Sequence, residues 1–154
     1  MKKAVVLSLL LGATAAFVQP ALANPEKAVK ARRGGMQVIS LNAGPLFGMA
    51  KGKVAYDVKL ARTLANNLKI LASMNNSNMW IKGTDNVAMK GKTRAKADIW
   101  AAGSKVGEAS KAWKAAANNI AKVAGNGLDA LKPAVGALGK ACGGCHKPFR
   151  AKEF

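Results

Sequence analysis

Four stretches of the chain place their apolar residues at steps of three, four and seven, and no alternating pattern of the strand kind separates them. That spacing restricts the chain to packed helices. In the first stretch Val29, Arg32, Met36, Ile39, Ala43 and Phe47 share one helical face. Asn24 is suited to its N-cap and Pro25 to its first helical position. Gly44-Pro45 falls inside the pattern, and a proline there removes a backbone hydrogen bond and predicts a kink. The stretch ends near Lys51-Gly52. Asp57 caps the second, which carries Ala61, Leu64, Ala65, Leu68, Leu71 and Ala72, and Asn75-Asn76-Ser77-Asn78 stops it. A loop to about Arg94 follows, with Met79, Trp80 and the turn-prone Gly83-Thr84-Asp85-Asn86. Loops this long in a compact domain are often functional. The third stretch opens near Asp98 and runs through Ile99, Val106, Ala109, Trp113, Ala116, Ile120 and Val123 to Gly125-Asn126-Gly127. The fourth starts near Leu128 and carries Leu131, Val135, Leu138, Cys142 and Cys145. The predicted fold is all-α, an antiparallel four-helix bundle. Its stripes are rich in alanine, a core with room for something besides side chains.

The first residues follow a different rule. Lys2 and Lys3 precede an apolar run from Ala4 to Val18, and Ala21-Leu22-Ala23 is an A-x-A-like cleavage site. This is the layout of a secretory signal peptide. A membrane anchor would need about 20 apolar residues, and Gln19-Pro20 interrupts the run. Residues 1–23 are therefore expected to be removed, leaving one domain over 24–154 with no membrane span. In a bacterium that places the product in the periplasm. The net charge of +18 on 154 residues invites a nucleic-acid reading. Export removes that ligand, no recognition motif is present, and the lysines are spread through all four stretches, although Lys90, Lys92, Arg94 and Lys96 form a local cluster. A basic surface of this kind steers acidic redox partners.

The chemistry lies in Cys142-Gly143-Gly144-Cys145-His146, the C-x-x-C-H haem-attachment pattern. Residues three apart share a helical face, so both thiols can reach the two vinyl groups along one haem edge, and the adjacent imidazole can turn towards the iron. A disulfide across so short a loop stabilises little, and a thioredoxin-like site expects a βαβ context. Zinc lacks ligands, because these are the only two cysteines and the only histidine. The pattern points to one haem c, bound through Cys142 and Cys145 with His146 on the iron. A single histidine excludes bis-histidine ligation within the chain.

With the motif on the last helix, the chain resembles the class II cytochromes c, the cytochrome c′ family. The resemblance spans the chain beyond the signal segment. It rests on Arg32 and Met36 in the first stretch, Lys51-Gly52 and Tyr56-Asp57, Gly83-Thr84-Asp85, Ala97-Asp98-Ile99-Trp100, and Cys142 to His146 followed by Phe149-Arg150. It implies a periplasmic four-helix bundle with haem on its C-terminal helix. It also implies that Arg32 lies near a haem propionate, that Arg150 borders the proximal pocket, and that Met36 sits over the haem face opposite His146. A homodimer through the first two helices is implied as well. Two positions depart from the family. Pro148, where a polar residue is usual, predicts a distorted end to the fourth helix, and Gly34-Gly35 predicts a loosened first helix beside Met36.

The leading functional reading is a one-electron carrier, not an enzyme, with Met36 as a candidate second iron ligand. The alternative is a five-coordinate cytochrome c′ that binds nitric oxide or carbon monoxide on the distal face. A non-haem, polyanion-binding bundle is the remote third. Trp80, Trp100 and Trp113 read as core or haem-packing aromatics, and Tyr56 as a contact at the start of the second helix.

Overall fold

A computed structural model describes residues 24–154; the expected signal peptide lies outside the described residues. Four helices are present: α1 (Pro25–Ala50), α2 (Val58–Ser73), α3 (Val106–Val123) and α4 (Leu128–Phe149). Each packs against the next and α4 returns to α1, closing a bundle. Among the described residues there is no strand, only an isolated antiparallel bridge between Ala95 and Arg150.

The caps form where the sequence places them. The Asn24 side chain accepts hydrogen bonds from the backbone N–H of Glu26 (3.0 Å) and Lys27 (3.2 Å). Asp57 accepts from Leu60 at 2.8 Å. Each satisfies donors that the first helical turn leaves unpaired. At the far end of α1, Gly52 adopts φ +69° and lets the chain reverse.

α1 is one helix that contains Gly34, Gly35 and Pro45, and α4 one that contains Pro148. At Pro148 the helix still closes its last turn, because the Arg150 N–H reaches the His146 carbonyl at 3.1 Å. Other local expectations change. α3 begins eight residues after Asp98. The Ala97–Trp100 segment is a separate 3₁₀ turn, and Gly103 at φ +74° breaks the helical path before Val106. Tyr56 serves the opposite end of the molecule from the cysteines. Its hydroxyl donates to Ala124 O (2.9 Å) and accepts from Gly127 N–H (3.1 Å), fastening the α3–α4 turn.

Burial divides the bundle along its length. Leu46, Met49, Leu68, Ile120, Leu131 and Leu138 are fully buried amid alanines. Each stabilises the fold by about 1.5–3 kcal/mol. A second buried layer lies under the long loop: Ala28, Val29, Arg32, Thr84, Thr93, Ile99 and Phe149. Between the two layers no residue is buried in 33–41 of α1, 106–115 of α3 or 139–148 of α4. The inward positions there, Ile39, Trp113, Cys142, Cys145 and His146, are half-buried, and Met36 is more exposed.

Candidate functional site

That intermediate layer holds the cysteine motif. Cys142 and Cys145 lie one helical turn apart on α4, in line with buried Leu138 and Phe149, so they face the bundle rather than solvent. Both are free thiols. Burial pushes both thiol pKa values up, and at Cys145 the neighbouring Cys142 adds to the effect. The protein thus keeps the pair as neutral thiols. His146 follows on the same face. Its pKa is lowered by burial first and then by the charges of Arg150 and Arg94. The neutral imidazole, the form that ligates a metal, is thereby favoured. Two thiols and an imidazole that share one helical face, in a layer whose inward residues are only half-buried, fit a flat cofactor held from α4.

Arg32 makes the floor. It is 6% exposed, and no carboxylate lies against it among the described residues. Its Nη1 donates to Met79 O (2.8 Å) and Thr84 Oγ1 (2.6 Å). Its Nη2 donates to Thr84 O (2.8 Å) and Thr93 Oγ1 (3.4 Å). The guanidinium also stands 4.9 Å from the Trp80 ring centre and 5.9 Å from that of Trp100, while Trp100 Nε1 donates to Trp80 O. Four of its five N–H donors are thus committed to the long loop, leaving Nε–H. The loop is folded onto one buried cation, and burial lowers the pKa of that cation.

The other expected residues are spread around the layer. Arg150 is exposed just beyond α4, where Ala151 N–H meets Arg94 O at 2.8 Å and Lys96 N–H meets Phe149 O at 2.9 Å. This pairing brings Arg94 beside the cysteine helix. Met36 is 44% exposed on α1. Thr84, Thr93 and Arg94 are site residues to which sequence reasoning gave no role. The Gly83-Thr84-Asp85 turn and the basic cluster drew attention to two of them, but their partners lie some fifty residues away. A shallow groove of about 1080 Å³ runs between α3 and α4. Its lining includes Ala112, Ala137 and Gly144 but neither cysteine nor His146, so it belongs to the outer surface of that pair.

The Cytochrome C' family profile matches residues 27–150, nearly all of the described chain. The chain belongs to the cytochrome c′ family. Members of this family bind haem. A cytochrome c′ of Cereibacter sphaeroides is 35% identical over 149 residues, covering 97% of this chain and 98% of the relative. A cytochrome c-554 of the same species is 33% identical over 138 residues, covering 87% and 90%. Among solved structures, a cytochrome c′ from Rhodobacter sphaeroides superposes with a TM-score of 0.82 at 36% identity, covering 85% of this chain and all of that one. Another cytochrome c′, described as having ligand-controlled dimer dissociation, gives 0.76 at 29% identity, covering 84% and 98%. The four-helix bundle is thus the family fold.

Proposed function

We propose that this cytochrome c′ family member carries one haem c, attached through Cys142 and Cys145 with His146 as the proximal iron ligand, and binds a diatomic gas on the opposite face. The observation that carries the reading is the half-buried layer, in which two free thiols and an imidazole share one face of α4 where no residue of the facing α1 and α3 segments is buried. When bound, the haem would supply a redox-active iron able to take a further small ligand. The chain's own residues attach it, shield it and set its surroundings. Arg32 keeps one N–H donor for a propionate, and Arg150 borders the imidazole.

Met36 separates the gas-binding reading from the electron-carrier reading. A ligating thioether must be held in place, yet Met36 is 44% exposed and follows two glycines at which an added Cβ would meet nothing within 4 Å. This supports Met36 as a movable guard of the distal face rather than a fixed ligand. The low-spin carrier, with Met36 on the iron, is the second reading. It is supported by the resemblance to a cytochrome c-554 and by a basic surface suited to acidic partners. Neither reading transforms a substrate. Both place the protein in the periplasm after removal of residues 1–23.

A homodimer belongs to this proposal. Val38 and Leu41 on α1, Leu60 and Ile70 on α2 and Met74 at the C-cap of α2 are exposed, Leu41 at 74% and Ile70 at 61%. Exposed apolar side chains concentrated on two adjacent helices make a surface suited to a second copy. The deciding experiment is the ferric spectrum of the native protein and of Met36→Ala. The proposal expects a high-spin ferric spectrum with no methionine-to-iron charge-transfer band, and faster carbon monoxide uptake by ferrous Met36→Ala. A low-spin native spectrum that turns high-spin in Met36→Ala establishes the carrier form instead.

A further inference from the structure

Ten large hydrophobic side chains are exposed among the described residues, and eight belong to α1, to α2 and its C-cap, or to the turn joining the two helices. The other two, Val87 (78% exposed) and Phe154 (55%), line one crevice at the cysteine end of the bundle, together with Lys90 and Lys152. The Phe154 ring is flanked by two guanidinium groups, Arg33 and Arg94, each 5.1 Å from its centre. Both are held in place: Arg33 donates to Lys92 O (3.2 Å) and Arg94 to Lys152 O (3.1 Å). The distribution of arginine is uneven. The chain has 20 lysines spread over all its segments but only five arginines, and Arg32, Arg33, Arg94 and Arg150 meet at this end. Arg32 is used by the loop; the other three face outward or stand half-exposed.

The acidic groups nearby do not cancel this charge. Glu26 is tied to Lys92, Asp98 to Lys96 at 3.0 Å, and Asp85 accepts from the N–H of Val87 and Ala88. Glu153 alone lines the crevice as an acid. An apolar centre ringed by arginine and lysine is the composition of a protein-docking patch, because aromatic residues and arginine dominate interface energetics. Arginine pairs with carboxylates through two parallel hydrogen bonds. Arg94 joins the patch to the haem end, since it flanks Phe154 and pairs along its backbone with the segment that follows His146.

We infer that the Val87–Phe154 patch, ringed by Arg33, Lys90, Arg94 and Lys152, is the docking surface for an acidic electron-transfer protein. The inference rests on the proposed haem c and deepens it, because a carrier needs a partner that exchanges single electrons and a haem that is to bind carbon monoxide must first be reduced. The partner's carboxylates meet the guanidinium and ammonium groups, its apolar contact covers Phe154 and Val87, and one electron passes from the reduced partner to ferric haem.

The test uses a plant-type [2Fe–2S] ferredoxin, a strongly acidic one-electron donor of low potential. Two charge-reversed proteins are compared, Lys90→Glu/Lys152→Glu at the patch and Lys111→Glu/Lys114→Glu on the exposed outer face of α3. None of these four side chains makes a hydrogen bond or ion pair among the described residues. At low salt the patch variant is expected to lower the second-order reduction rate by about 10-fold or more, and the α3 variant by less than about 2-fold, with the difference vanishing at high salt. Calorimetric binding of oxidised ferredoxin, which transfers no electron, should weaken in the same order and also in Phe154→Ala. Equal losses in both variants overturn the docking site while leaving electron exchange standing. Failure of ferredoxin to reduce a haem that dithionite reduces overturns electron exchange with proteins altogether. Patch-dependent binding to phosphatidylserine vesicles, without any effect on ferredoxin, assigns the patch to a membrane surface and overturns the proposal.

Discussion

Arg32 is a buried cation that meets carbonyls, hydroxyls and two indole rings instead of a carboxylate. Its stability contribution is therefore shared with the loop residues it holds. Arg32→Ala is expected to lower unfolding stability by about 2–4 kcal/mol, because a buried network is lost at once. Thr84→Val keeps the volume but leaves a buried guanidinium N–H unpaired and removes the hydroxyl bond to the Ile81 carbonyl, which keeps only the Thr84 N–H. It should cost about 1–3 kcal/mol, with Thr84→Ser close to native. Urea titration of the haem-loaded proteins measures both; native-like stability of Arg32→Ala would remove its role in the loop. The sequence places Arg32 on the inward stripe of α1, and that placement is right. Its partners are not legible there, because periodicity relates neighbours on one helix, whereas Thr84 and Thr93 reach Arg32 from a loop more than fifty residues away.

At the scale of elements, the helices with strong caps and clean stripes were readable: Asn24 and Asp57 begin α1 and α2 as their side chains require. The start of α3 was not. Asp98-Ile99 continues the apolar spacing, but Ile99 belongs to the buried layer under the loop, and Gly103 turns the chain before α3 begins. The prolines in α1 and α4 lie within the helices without ending either one. Within the long loop, Asp85 is held below the usual carboxylate range by the backbone N–H of Ala88 and then of Val87. A depressed folded-state pKa stabilises the protein above the unfolded value of about 3.9, and that stabilisation is lost as pH falls through the folded value. Thermal unfolding followed from neutral to acid pH should show Asp85→Asn less stable at neutral pH and converging with the native protein in acid. A constant difference across the titration would show that the Asp85 charge plays no part.

For the whole molecule, the buried layers and the half-buried one between them explain the alanine-rich stripes. The bundle has six large, fully buried apolar side chains at one end and a loop wrapped on arginine at the other, and the proposed haem on Cys142 and Cys145 would complete the middle. Sequence showed the motif, the bundle and the family. It did not show that Arg33, Arg94 and Phe154 meet, because three segments must fold before they do. The exposed apolar surface of α1 and α2 predicts a second consequence at this scale. Leu41→Asp with Ile70→Asp should sediment as a monomer with an unchanged haem spectrum, where the native protein is expected to sediment as a dimer; a native monomer contradicts the proposed interface.

The account stands or falls on covalent haem. Native protein and Cys142→Ala/Cys145→Ala, both secreted with residues 1–23 intact, are extracted with acidified acetone and assayed as the reduced pyridine complex. The native chain is expected to keep one haem per chain through extraction, with the absorption of a haem whose vinyl groups have become thioethers, and the double variant to keep none. A native chain that loses its haem to the solvent, or never carries one, contradicts the central claim.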